Sequence, residues 1–168
     1  MQNDNLKSYL HLHVIVFIWG FTAILGKLIS LEALDLVWYR MLFASVIMTF
    51  VVLFNKEKIK VPFNVLIGFI VSGIIIAAHW LTFYQAIKVS NVSITLACLS
   101  TGAFFASILE PIFYKRKVIW YELLFGLIVV VGLGIIFNVE TKYASGIYLA
   151  ITSAFLSALF SVINGKYS

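Results

Sequence analysis

The chain has 168 residues, of which 62% are hydrophobic and only 11% are charged. Soluble proteins carry charge on about 25% of their residues, so a domain of this composition could not cover its surface with polar groups in water. An aromatic content of 16% with only two prolines also excludes a disordered chain. The composition therefore predicts an integral membrane protein.

The formal net charge of +5 would suit a nucleic-acid partner only if the basic residues formed one face of a folded domain. Here the charges fall between long apolar runs, so we expect no nucleic-acid partner. The single cysteine, Cys98, lies inside an apolar run and provides no disulfide framework. We interpret it as a packing residue.

Six apolar runs have the length of membrane-spanning helices. A helix needs about 20 apolar residues to cross a hydrocarbon core of about 30 Å, whereas a strand of a membrane barrel needs only about ten. The sequence therefore predicts an all-α fold, a polytopic transmembrane bundle with six helices. The six runs are residues 10–29, 36–54, 65–87, 92–114, 123–137 and 146–163.

The two prolines have different positions in these runs. Pro62 fits the first turn of the third helix, where its missing N–H group costs nothing. Pro111 lies inside the fourth run, so we predict a bend near residues 108–111.

Basic residues predict the orientation, because cytoplasmic links are enriched in lysine and arginine. The link after the second helix carries Lys56, Lys58 and Lys60, and the link after the fourth carries basic residues at 115–117. The other links are poor in basic residues. We therefore predict that both basic links and the N-terminus face the cytoplasm.

The sixth run contains a stripe of small side chains. Ala150, Ala154 and Ala158 follow one another at four-residue steps, beside serines at 153, 157 and 161. Small residues let helix backbones approach closely in lipid. The stripe predicts that this helix packs against other helices.

A short internal repeat relates residues 21–27 to residues 160–166, with four of the seven positions identical. The second copy lies five helices further along the chain, so it crosses the membrane in the opposite sense, as in inverted-repeat transporters. We predict a five-helix repeat over residues 1–145 and the first helix of a second, truncated repeat over 146–168. We expect the chain to be the front part of a ten-helix protein; the alternative is a five-plus-one chain that pairs with a second copy.

Several motifs, in their order and spacing, resemble the EamA-type drug/metabolite transporter superfamily. The resemblance covers the first repeat and the first helix of the second, and it implies ten helices built as two inverted five-helix repeats. The resembling residues are Trp19, Gly20 and Phe21 with Lys27, then Trp38, Tyr39 and Arg40, residues 83–88, residues 90–99, and Gly126, Gly132 and Gly134.

The chain departs from the family pattern in the fourth helix. Thr101 and Gly102 stand where the family commonly has a proline, and residues 114–116 read Tyr-Lys-Arg where it often has Gly-Glu-Arg. An acidic residue, Glu110, comes earlier instead, before Pro111. The family's glutamate therefore supports no inference about coupling here.

The resemblance implies a secondary transporter of the bacterial inner membrane. It would export a small metabolite, such as an amino acid or a related amphipathic solute, by alternating access between the two repeats, without a cofactor. The alternative is an assembly half that functions only with a partner chain, such as a second copy. A membrane-embedded enzyme is disfavoured, because the sequence has no metal-ligand spacing, nucleophile motif or phosphate-binding loop.

Charged residues near the outer ends of helices one and two are the first candidates for function. A charge at mid-bilayer costs about 2.5 to 3.5 kcal/mol on insertion scales. Lys27 and Arg40 could extend to the interface or pair with Glu32 and Asp35. Alternatively, they line an outward vestibule that receives a carboxylate or phosphate, a role that suits Arg40 better because apolar sequence follows it.

His79 lies within helix three, and it could carry protons or bind a ligand. The alternative is a core histidine whose ring is satisfied by a serine or a carbonyl. We predict a central cavity in which a solute stacks on aromatic side chains, with hydroxyl groups supplied by helix four. The predicted substrate-binding residues are Trp19, Arg40, His79, Phe83, Tyr84 and Thr101.

Glu110 is the second candidate for coupling, beside His79. It lies about one turn from Lys115 and Arg116, so a structural ion pair and a role in proton coupling both remain open.

Overall fold

The computed structural model describes residues 2–56, 60–139 and 141–167, and within these ranges it is helical with no strand. The all-α bundle predicted from the apolar runs is confirmed. The helices are α1 (Gln2–Leu28), α2 (Ala33–Phe54), α3 (Phe63–Val89), α4 (Val92–Leu99), α5 (Gly102–Tyr114), α6 (Trp120–Val139) and α7 (Ala144–Asn164), with a short 3-10 helix, Thr141–Tyr143, before α7.

Five segments within the described residues are long and apolar enough to cross a membrane. They correspond to α1 from Leu6 onward, α2, α3, α4 together with α5, and α7 with the 3-10 helix that precedes it. The fifth predicted run lies in α6, which contributes a shorter apolar stretch, Trp120–Ile135. The chain is a multi-pass membrane protein.

The fourth span is interrupted at Ser100 and Thr101, a break that we did not predict. Each hydroxyl donates to the carbonyl three residues earlier, at 2.6 Å for Ser100 and 2.7 Å for Thr101. Such bonds compete with the helical backbone pattern, and Gly102, a weak helix former, follows directly. Helix α5 then continues through Pro111, so a bend at the proline stays a prediction.

Helix α7 packs most extensively against α3, and it also packs against α4 and α5. Its small residues form the buried face, because Ala150, Ser153 and Ala154 are fully buried and Ala158 is nearly so. The predicted packing role of the small-residue stripe is confirmed. The close approach lets α7 contact three helices that precede it in the chain.

Two lysines join the C-terminal ends of α1 and α3. Lys27 Nζ donates to the carbonyl of Ile87 at 3.1 Å, and Lys88 Nζ donates to the carbonyl of Ile29. Each lysine thus satisfies a carbonyl at the end of the other helix, where a cation is also favoured by the helix dipole. We call this the outer end, because the basic links predict that it faces away from the cytoplasm.

Contacts at the opposite, inner end join the start of α3 and the end of α5 to the end of α7. A Cβ atom at Gly68 would overlap the ring of Tyr167, and the Tyr114 hydroxyl donates to the Val162 carbonyl at 2.7 Å. These contacts are expected when successive membrane spans run in alternating directions. One of the lysines behind the predicted orientation, Lys58, lies outside the described residues.

Candidate functional site

A pocket of about 410 Å³ lies between α1, α2 and α3 near the outer end, within the usual volume range of small-molecule sites. Gly26 makes this arrangement possible, since a Cβ atom there would overlap the ring of Tyr84. The close contact of α1 with α3 therefore depends on that glycine. The pocket is lined by Thr22, Leu25, Gly26, Ile29, Leu31, Leu36, Tyr39, Arg40, Phe43 and Tyr84.

Arg40 is the charged group in the pocket lining, and two aromatic side chains of α3 hold it. Its Nη1 atom donates to the Tyr84 hydroxyl at 2.5 Å, and its Cζ atom lies 3.7 Å from the ring centroid of Trp80. The latter distance is typical of a cation–π contact. Within the described ranges, no carboxylate forms an ion pair with Arg40.

An apolar cluster fixes these aromatic side chains. Tyr84 is only 3% exposed and Phe83 only 4%, and both belong to the core formed by α1, α2 and α3. The rings of Trp80 and Tyr84 stack with centroids 5.7 Å apart, and Phe83 meets Tyr84 edge to face at 5.3 Å. The cluster therefore sets the position of the Tyr84 hydroxyl and, through it, of the guanidinium.

His79 lies on the same helix but contacts α7. Its Nδ1 atom is 2.9 Å from both the carbonyl oxygen and the hydroxyl of Ser153. A carbonyl can only accept, so Nδ1 carries the proton, and the Nε2 atom of a neutral ring offers a lone pair. The Ser153 hydroxyl in turn donates to the His79 carbonyl at 3.2 Å.

The environment of His79 matches the core histidine considered for it, while a role in binding a ligand or a proton stays a prediction. Nδ1 is satisfied by a serine and a carbonyl, as expected of a core histidine, and the ring stacks near Phe83 at 6.0 Å. Nε2 makes no hydrogen bond to any residue that the structure describes. One ring nitrogen thus joins α3 to α7, and the other is left for a ligand or a proton.

Two predicted site residues lie apart from this cluster. Trp19 is 70% exposed on α1 and does not line the pocket. Thr101 is buried at the break between α4 and α5, where its hydroxyl is bonded to a backbone carbonyl. The structure brings Arg40, Phe83 and Tyr84 together, with His79 joined to them through its ring contacts.

Trp80 was not among the predicted site residues, yet its ring lies against the guanidinium of Arg40. A signal was present in the sequence, because Trp80 precedes Tyr84 by four residues and therefore shares its helix face.

Glu110 lies at the inner end, in an ion-pair cluster with Arg116. The Nη2 atom of Arg116 is 2.6 Å from Glu110 of α5 and 3.1 Å from Glu122 of α6. Hydrogen bonds to Glu122 and Glu110 raise the pKa of Arg116 above its usual value. The cluster bridges two helices across their link, and a coupling role for Glu110 stays a prediction.

The model of one family, described as the EamA-like transporter family, matches residues 6–138. No curated protein and no solved structure matches significantly. The matched range contains every residue that lines the pocket.

Proposed function

Because the chain belongs to the EamA-like transporter family, which makes it a membrane transporter of the drug/metabolite type, we propose that it exports small metabolites such as amino acids or related amphipathic solutes. The observation that carries this proposal is the pocket between α1, α2 and α3, with a partly buried Arg40 and an otherwise mostly apolar lining. Such a lining suits a solute that has both a polar and an apolar part.

The proposed location is the bacterial inner membrane, with the N-terminus in the cytoplasm. The basic links support this orientation, since Lys115, Arg116 and Lys117 follow α5 at the inner end and Lys56 and Lys60 follow α2. In this orientation the pocket faces outward, so it is where an exported solute leaves.

Alternating access would involve helix α3, which has Tyr84 at the pocket and His79 at α7. Helix α7 is the first helix of the predicted second repeat, and its buried face consists mostly of small side chains. Movement of α7 along α3 would change the His79–Ser153 contact. Movement of the solute from the pocket deeper into the protein would thus be linked to a change in how the first repeat packs against α7.

We expect the variants His79→Asn and His79→Leu to distinguish the roles of the two ring nitrogens of His79. Asparagine places an N–H group near the position of Nδ1, so it keeps the bond to Ser153 but has nothing at the position of Nε2. If Nε2 takes part in transport, His79→Asn will keep the thermal stability of the wild type and lose most of its transport rate.

His79→Leu is the matched comparison, because it removes both nitrogens and is expected to lower stability as well. Thermal denaturation in detergent and transport by proteoliposomes measure the two effects. Full transport by a stable His79→Asn protein would restrict the histidine to its packing role.

Counterflow in proteoliposomes tests the proposed function itself. Vesicles loaded with unlabelled phenylalanine, leucine or glutamate are diluted into the same labelled amino acid. The proposal predicts transient accumulation above protein-free vesicles for at least one amphipathic solute. Absence of counterflow across a broad panel of metabolites, with correctly inserted protein, would contradict it.

The alternative of an assembly half predicts that altering the exposed face of α7 weakens association with a partner such as a second copy. Ala154 is unsuitable for that test, because it is fully buried against helices of the same chain. Phe155, which is exposed on α7, is the better position. If Phe155→Ala abolished both cross-linking between copies and counterflow, the assembly half would become the preferred function.

A further inference from the structure

We infer that the pocket between α1, α2 and α3 binds a small organic monocarboxylate, with Arg40 as the carboxylate-binding group and Trp80 and Tyr84 as the residues that position it. This inference rests on the proposed function and names the substrate class of the same site. It follows from the charge, the hydrogen-bonding capacity and the shape of the pocket.

The charge of the site comes from a single available cation. Arg40 is partly buried and has no carboxylate partner among the residues described. Leaving a guanidinium without a counter-charge in an apolar setting is costly, so an anion would stabilise it. The nearby carboxylates of Glu32 and Asp35 are exposed and are not paired with it.

The lysines of α1 and α3 at the outer end already donate hydrogen bonds to backbone carbonyls. Lys27 and Lys88 donate to the carbonyls of Ile87 and Ile29, respectively. One free positive charge matches a ligand with one negative charge. A planar guanidinium binds carboxylates and phosphates alike through two parallel hydrogen bonds, so it is the single charge that favours a monocarboxylate over a phosphate dianion.

The aromatic partners orient this cation. Stacking on Trp80 fixes the plane of the guanidinium, and the bond from Nη1 to the Tyr84 oxygen uses one of its five N–H groups. Since the Tyr84 oxygen accepts that bond, its own proton is available for the ligand. Arg40 and Tyr84 together offer donors to both carboxylate oxygens.

The remainder of the pocket suits the hydrocarbon part of the ligand. Leu25, Leu36 and Phe43 contribute apolar surface, and Thr22 adds one hydroxyl. A volume of about 410 Å³ accommodates a molecule of the size of an aromatic amino acid or an aryl carboxylic acid. The predicted ligand is amphipathic, with its acid group at Arg40.

Binding of three matched probes tests the inference in protein reconstituted into phosphatidylcholine nanodiscs. Phenylacetate carries the carboxylate, phenylacetamide is its neutral counterpart, and benzylphosphonate replaces the carboxylate by a phosphonate. Calorimetry is expected to give at least about tenfold tighter binding of phenylacetate than of phenylacetamide, as for hydrogen bonds to a charged group.

Three variants assign the preference to the named side chains. Arg40→Gln is expected to abolish the preference for phenylacetate, and Arg40→Lys to reduce it because the planar fork is lost. Tyr84→Phe keeps the ring and removes one donor, so the affinity for phenylacetate should fall severalfold. Lys166→Gln removes an exposed cation at the other end of the bundle and should leave the affinity unchanged.

The outcomes separate this inference from the proposed function. Equal binding of phenylacetate and phenylacetamide, no binding of either, or an unchanged preference in a folded Arg40→Gln protein would overturn the carboxylate site. Tighter binding of benzylphosphonate, with phosphatidylglycerol in the disc competing, would assign the pocket to lipid phosphate instead. Counterflow of a metabolite would leave the proposed function intact in each case, and its absence across the metabolite panel would contradict that function even if phenylacetate binds.

Discussion

Replacing Gly126 by alanine will destabilise the chain, whereas the same replacement at Gly132 on the same helix will not. A Cβ atom at Gly126 would lie 2.8 Å from both Cα and Cβ of Phe104 in α5. Because one of these atoms belongs to the backbone, α5 or α6 must move to admit the methyl group. Overpacking of this kind costs about 1 to 3 kcal/mol.

Gly132 is the control, because a Cβ atom there has no neighbour within 4 Å and alanine has the higher helix propensity. Thermal denaturation in detergent, followed by circular dichroism, should give a lower Tm for Gly126→Ala and an unchanged or higher Tm for Gly132→Ala. Equal Tm values for the two variants would show that α5 and α6 do not approach closely at Gly126.

Replacing Ala154 by leucine will weaken the packing of α7 on the rest of the bundle. Ala154 is fully buried, and its carbonyl lies 3.7 Å from the position of a Cβ atom on Gly102, at the start of α5. Three further carbon atoms have no space between α7 and its neighbours. We expect a loss of at least about 1 to 3 kcal/mol, because a rigid helix face cannot adjust around a larger side chain.

The exposed Thr152, two residues earlier on α7, provides the matched control. Hydrogen exchange measured by mass spectrometry should show faster exchange of the α7 amides in Ala154→Leu and unchanged exchange in Thr152→Leu. Protection of α7 equal to that of the wild type in Ala154→Leu would contradict the packing described for this helix.

The helices could be predicted from the sequence, because each span requires a long apolar run regardless of its neighbours. The break at Ser100 and Thr101 could not, since their hydroxyls are as compatible with a continuous helix as with an interrupted one. The small-residue face of α7 was predictable for another reason. In lipid, alanine and serine at four-residue steps have few roles besides helix packing.

The site was only partly predictable. The position of Arg40 near a helix end, followed by apolar sequence, indicated an outward vestibule, and the structure places it in a pocket at the outer end. The orientation of Trp19 could not be predicted, because helix α1 is apolar on all sides within the membrane. When lipid and protein interior are both apolar, periodicity does not identify the inward face.

Alkylation of a cysteine that replaces Thr22 tests most directly whether the pocket opens outward and holds the transported solute. Cys98 is the only native cysteine and is fully buried, so the parent chain should not react with a membrane-impermeant maleimide. Ser30→Cys, in the exposed outer link, reports the side of the membrane. We predict that both cysteines react from the outside, and that a solute active in counterflow slows the reaction at Thr22→Cys alone. Reaction only from the cytoplasmic side, or a rate at Thr22→Cys that the solute leaves unchanged, would contradict the account.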